Sequence, residues 1–177
     1  MARLVIVSNR VPVPKARGTA AGGLAVALRD LLTPGAMWFG WSGRLSAEPS
    51  TQPAIVEARG VTYATVDLTP DAYRGFYVGF ANGALWPLLH FRLGLMHFRR
   101  EDYEGYLSVN RSFAASLAPM LQGDDTVWAH DYHLIPFARL LRKQGFDGRI
   151  GFFLHVPFAP PSMLEAMPVA RELVADL

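Results

Sequence analysis

Arg10 stands just after a continuous apolar run, Leu4-Val5-Ile6-Val7, and the short step Ser8-Asn9. A guanidinium there offers a planar fork of N–H donors suited to phosphate or carboxylate. Gly22-Gly23 opens an Ala/Leu-rich stretch. Glycines entering a helix let backbone N–H groups approach a phosphate closely, although a plain strand–loop–helix connection reads the same way. Trp41-Ser42-Gly43, Tyr77 and Trp86 bring aromatic faces that suit sugar rings at a pocket edge; aromatics more often belong to a core. In His130-Asp131-Tyr132-His133, two histidines at i and i+3 flank an acid. A metal would need both imidazoles on one side and a third ligand, whereas an Asp at a strand end more naturally accepts hydrogen bonds from hydroxyls. His155 is followed by Val156-Pro157, and the proline stiffens the backbone that carries the imidazole. The plainer alternative is a core histidine satisfied by carbonyls.

Most of these residues follow segments that read as strands. Residues 4–8, 37–41, 126–129 and 150–154 are apolar runs of the kind buried in parallel sheets, and 61–67 alternates like a further strand. In open parallel sheets, ligands gather outside the carboxyl ends of the strands. Tyr77 and Trp86 instead lie in a helical stretch, 72–90, entered through a Thr69 cap and Pro70 and interrupted near Asn82-Gly83 and Pro87. Helices are also expected over 22–32, 101–121, 132–144 and 162–177. Strands alternating with helices predict an α/β, three-layer fold with a mainly parallel sheet.

A chain of 177 residues is one domain's worth. Its 51% hydrophobic and 18% charged content excludes a disordered or low-complexity protein. The net charge of +2 is no nucleic-acid footprint. Lys15 and Lys143 are the only lysines, so arginine carries nearly all the positive charge. With no cysteine, disulfides, thiolate nucleophiles and Cys-ligated metals are excluded, which fits a reducing, cytoplasmic setting. The apolar run at 4–7 is too short for a secretory signal, and 75–91 is too broken for a membrane span. There is no G-x-G-x-x-G and no G-x-x-x-x-G-K-[ST], so neither a dinucleotide fold nor a P-loop is supported. The chain stops at Leu177 inside an unfinished amphipathic pattern, an ending that reads as a cut.

Seven segments, in order, carry a resemblance: 4–12 (LVIVSNRVP), 21–26 (AGGLAV), 38–43 (WFGWSG), 80–90 (FANGALWPLLH), 105–110 (GYLSVN), 127–136 (VWAHDYHLIP) and 150–158 (IGFFLHVPF). Together they resemble the N-terminal half of the trehalose-6-phosphate synthase family, retaining glycosyltransferases of family 20 built from two Rossmann-like domains (GT-B). The resemblance implies that residues 1–177 form the acceptor-side domain and that the C-terminal donor domain is absent from this chain. It implies glucosyl transfer from UDP-glucose to glucose 6-phosphate with retention, without metal or cofactor, by an enzyme of which this chain is a part expected to be inactive alone. Arg10 and Tyr77 match phosphate-contacting positions for the acceptor. Trp41, Trp86 and Asp131 match the acceptor pocket. Gly22 and Gly23 match the loop that touches the donor, and His155 the histidine that contacts the donor glucose; His155 and Asp131 are the catalytic candidates. Where the family usually has a proline after HVPF, this chain has Ala159.

The same scaffold serves glucosylglycerol-phosphate synthases, and a half-length chain could also be a non-catalytic sugar-phosphate binding module. Partners implied are the two sugar substrates, with no nucleic acid and no membrane; the full-length enzyme could be a homo-oligomer.

Overall fold

The computed structural model describes residues 3–14, 28, 32–50 and 52–177. Six strands build one sheet: β1 (Leu4–Arg10), β2 (Met37–Leu45), β3 (Ala54–Ala58), β4 (Val61–Leu68), β5 (Thr126–His130) and β6 (Arg149–Phe153). Their order is β3-β4-β2-β1-β5-β6. Every neighbouring pair is parallel except β3 with β4. This is the α/β, mainly parallel Rossmann-like sheet that the sequence predicts.

Both faces of β1 are covered. Val5, Ile6 and Val7 are fully buried. Val5 and Val7 join the larger core cluster, while Ile6 joins a smaller one with Val11, Leu28, Trp38, Val61 and Tyr63. Alternate residues of a strand point to opposite faces, so this split is the signature of a central strand. The larger cluster is roofed by a continuous helix, made of α1 (Pro70–Tyr73), a π-helix (Arg74–Leu85) and α2 (Trp86–Leu89), by α3 (Arg100–Leu117) and by α4 (Phe137–Lys143). The helix expected over 22–32 lies outside the described residues except at Leu28 and the loop residue Leu32.

Four local expectations are corrected, and one strand, β3, was not foreseen, because 54–58 neither alternates nor buries its side chains. It pairs through a tight turn in which Arg59 and Gly60 both have positive φ, 54° and 78°, the twist a two-residue hairpin needs. The stretch over 72–90 is not interrupted: Asn82-Gly83 lies within the π-helix, and where Pro87 lacks an N–H, the Gly83 carbonyl one turn back accepts from the His97 amide at 2.8 Å instead. β6 is an edge strand, half exposed, because only β5 flanks it. The expected helix over 132–144 is a 3₁₀ turn, Tyr132–Leu134, followed by α4, with Pro136 capping the second piece. The expected helix over 162–177 is two short ones, α5 (Pro161–Leu164) and α6 (Ala170–Ala175), parted around Pro168.

Candidate active site

From β1 the chain builds outward through β2 and β4 on one side, then returns to lay β5 and β6 on the other. The order therefore reverses between β1 and β5, and their carboxyl ends border the crevice where open α/β sheets bind ligands. Arg10 is the last residue of β1. His130 is the last of β5, and Asp131 follows it.

Arg10 is aimed by its neighbour strand. The β1–β2 register slips between Ser8 and Arg10, setting Arg10 opposite Trp41. Gly40 makes the slip possible, since a Cβ at 40 would collide with the Ser8 carbonyl oxygen. The guanidinium lies 5.9 Å from the Trp41 ring centre and over Gly43, where a Cβ would come within 2.5 Å of Arg10 Nε. Gly43 also has φ +86°, a conformation that side chains resist. Asp67, the nearby carboxylate on β4, is taken by Ser42 at 2.5 Å and by Arg44 at 3.3 Å. Among the described residues, no carboxylate pairs with Arg10, so its donors remain open to an anion.

Trp41 is buried and stacks into an aromatic row. Its indole N–H donates to the Arg44 carbonyl at 2.7 Å. Its ring meets Tyr73 and Tyr77 at 5.3 and 6.2 Å, and half-buried Tyr77 stacks on His133 at 5.6 Å. Among the described residues, both ring nitrogens of His133 are buried without partners, and burial pushes its pKa down to about 3. A neutral imidazole packed on Tyr77 is a structural element. His130 and His133 face different neighbours, and among the described residues no group of three or more His, Asp or Glu side chains gathers as a metal site would require.

The turn after β5 holds the second set. Asp131 has φ 77° and ψ 165°, a region normally left to glycine. Its N–H donates to the Phe153 carbonyl at 2.7 Å. Its Oδ1 accepts from the Tyr132 amide at 3.0 Å and from the His155 amide at 3.3 Å. Burial raises the Asp131 pKa, while those two amides and the charges of His155 and His90 hold it back. Oδ2 has no donor among the described residues, so one carboxylate oxygen positions the turn and the other is free for a hydroxyl. The exposed His155 ring sets Nε2 3.0 Å from His130 Nδ1. From α3, Tyr106 donates its hydroxyl to the Tyr132 carbonyl at 2.7 Å, and Asn110 donates to the His133 carbonyl at 3.0 Å. Tyr132 donates to Asn82 of the π-helix at 3.0 Å.

Trp86 is 38% exposed, and its ring stacks on His90 at 4.3 Å. The His90 Nδ1–H donates to the Trp86 carbonyl at 2.8 Å. The structure thus brings together Arg10, Trp41 and Tyr77 as one row, and Asp131 with His155 as a second group that His90 approaches. Gly22 and Gly23 lie outside the described residues. The sequence reading passed over Asn82, Tyr106, Asn110 and the supporting role of His130. A polar Asn on the buried face of an amphipathic helix, four residues after Tyr106, was the available signal. A depression lined by Leu121, Gln122, Gly145 and Phe146 lies at the opposite, amino-terminal edge of the sheet and holds none of the candidate residues.

Residues 2–177 match the model of glycosyltransferase family 20. The trehalose-6-phosphate synthase of Sinorhizobium fredii is 50% identical over 181 aligned residues, covering 100% of this chain and 39% of that protein. The crystal structure of an alpha,alpha-trehalose-phosphate synthase (UDP-forming) from Burkholderia vietnamiensis superposes with a TM-score of 0.94 at 47% identity, covering 99% of this chain and 38% of that one. A second such enzyme, from Burkholderia xenovorans and in complex with glucose-6-phosphate, gives 0.90 at 48% identity, with 99% and 38% coverage. The chain thus spans about two fifths of the length of these relatives. The family match and the structural likeness extend over the same residues, essentially the whole sequence, and on that ground the chain belongs to glycosyltransferase family 20.

Proposed function

We propose that this chain is the acceptor-side, N-terminal domain of a retaining trehalose-6-phosphate synthase, which transfers glucose from UDP-glucose to the anomeric hydroxyl of glucose 6-phosphate. The observation that carries the reading is Arg10: a guanidinium at the crevice, without a described carboxylate partner, lying over a glycine and beside an indole. Such a fork suits a terminal phosphate. The UDP-forming relative supports the choice of donor, and the relative complexed with glucose-6-phosphate supports the choice of acceptor.

In this reading Arg10 and the Tyr77 hydroxyl hold the acceptor phosphate. Trp41 and Trp86 shape the sugar pocket, and Asp131 Oδ2 accepts from a sugar hydroxyl. His155 and the Gly22-Gly23 loop meet the donor. The acceptor oxygen attacks the anomeric carbon on the face from which the diphosphate leaves, and a leaving-phosphate oxygen takes the acceptor proton. The protein's share is positioning and stabilisation of developing charge. Asp131 is no glycosidase-type acid, since no second carboxylate pairs with it in the described site. A second domain, outside these residues, supplies the basic groups that face the diphosphate. The absence of cysteine supports a cytoplasmic setting, and among the described residues no helix is long and apolar enough to cross a membrane.

The test is Arg10→Ala in the full-length protein. Losing a charge-assisted hydrogen bond costs about 1.5–3 kcal/mol, so KM for glucose 6-phosphate should rise about 10- to 150-fold while KM for UDP-glucose holds. Equal changes in both constants would overturn the assignment.

A further inference from the structure

We propose that His130 is a positioning residue for His155: its Nδ1–H donates to His155 Nε2, which fixes the His155 ring and holds it as the Nδ1–H tautomer, leaving that N–H to donate to a sugar hydroxyl. That last step rests on the reading of His155 as a donor-sugar contact; the positioning itself does not.

The geometry is a direct bond. His130 Nδ1 and His155 Nε2 are 3.0 Å apart, and the rings stack at 5.2 Å with an interplanar angle of 24°. The two residues stand on different footings. His130 ends β5 and is 1% exposed, wedged against Trp128 at 4.3 Å and Phe153 at 6.4 Å. His155 is exposed at the crevice, and its backbone is tied to Asp131 Oδ1. The buried ring is therefore the anchor and the exposed ring the part that is held.

Proton accounting sets the tautomer. Burial, with the nearby His155, lowers the His130 pKa to about 4, so His130 is neutral near pH 7. The bond carries one proton, which one ring gives and the other accepts. If His130 Nδ1–H is the donor, its buried Nε2, which has no partner among the described residues, is a bare acceptor. If His155 Nε2–H is the donor, His130 must carry its own proton on Nε2, as an orphaned N–H inside the protein. Orphaned buried N–H groups are the rarer of the two kinds of unsatisfied atom. The first arrangement therefore wins, and it makes both rings Nδ1–H tautomers.

The test is imidazole ¹H–¹⁵N correlation spectroscopy of the purified protein, ¹⁵N-labelled at histidine, near pH 7. The expected result is the Nδ1–H pattern for both His130 and His155. In His130→Phe, which keeps a buried ring without a donor, His155 should lose that pattern. In His130→Asn, whose side-chain amide replaces the Nδ1–H, it should return. An Nε2–H pattern for His155 in the wild type, with the His130 Nε2–H lodged against Trp128, would overturn the proposal even if the variants do not fold. Turnover in the full-length enzyme separates the two readings. It should fall about tenfold in His130→Phe, as for the loss of one hydrogen bond, with KM for glucose 6-phosphate unchanged. Correct tautomers with unchanged turnover would support the positioning and sink the donor-sugar reading of His155.

Discussion

Asp131 and His155 are joined across two strands by a single oxygen. Asp131 Oδ1 accepts the His155 amide at 3.3 Å while also accepting the amide of Tyr132, its own neighbour, at 3.0 Å. The bond ties the end of β5 to the residues that leave β6. It holds Asp131 in a backbone conformation that costs a non-glycine residue about 1–3 kcal/mol. Asp131→Ala keeps the strain and loses both bonds, whereas Asp131→Gly loses the bonds and relieves the strain. The glycine variant should therefore be the more stable of the two by about 1–3 kcal/mol; on the proposed function, both should lose transferase activity in the full-length protein. Urea midpoints ranking alanine above glycine would refute the strained turn.

Gly43→Ala should act through Arg10. The new methyl would stand where the guanidinium lies and would force a side chain onto a positive φ. On the proposed function, KM for glucose 6-phosphate in the full-length protein should rise about tenfold, as for the loss of a bond worth about 1.4 kcal/mol. Combining Gly43→Ala with Arg10→Ala should add little further to KM, because both remove the same contact. Additive effects would show that the two residues act separately.

Tyr106→Phe removes only a hydroxyl, and that hydroxyl is the donor to the buried Tyr132 carbonyl. An acceptor left unpaired in the interior costs about 1–3 kcal/mol. The urea midpoint should fall accordingly, and turnover should fall because the turn carrying Asp131 loosens. An unchanged midpoint would mean that α3 does not hold the turn.

Acid should destabilise the fold through its buried imidazoles. His130 and His133 have pKa values lowered to about 4 and about 3, whereas in the unfolded chain each titrates near the ordinary value of 6.5. The unfolded state therefore binds more protons below 6.5. The stability these neutral rings provide is fully present above that pH and is lost as pH falls, down to about 4 for His130 and about 3 for His133. The slope is at most about 1.4 kcal/mol per pH unit for each group. Asp131, raised by burial, opposes this at the acid end. His133→Phe should flatten the dependence between pH 6.5 and 4, as read from denaturant midpoints at fixed pH. A slope equal to the wild type's would remove His133 as its source.

The central strands were legible because burial on two faces leaves an unbroken apolar run, as in Val5-Ile6-Val7. Edge elements were not. β3 shows its side chains to solvent, and β6 carries apolar residues despite being half exposed. Candidate residues were legible where chain position alone does the placing: Arg10 at the end of β1 and Asp131 just after β5. Their supports were hidden. Gly43 matters through a space it leaves empty, and Tyr106 and Asn110 reach the Asp131 turn from 20 or more residues away. No spacing rule connects such distant positions before the chain is folded.

The wide-gauge helix from Arg74 to Leu85 also sets a phase. Its i→i+5 bonds spread more residues over each turn than an α-helix does, yet its two ends meet different partners: Tyr73 and Tyr77 lie against Trp41, while Trp86 stacks on His90. α-Helical bonding over the same residues would advance each by about 100°, more than the wider turn does, and so rotate everything beyond it. The Tyr77 end would keep its partners, while Trp86 and His90 would turn to a different side. The gauge of this segment, as much as its composition, decides which way the side chains beyond it face.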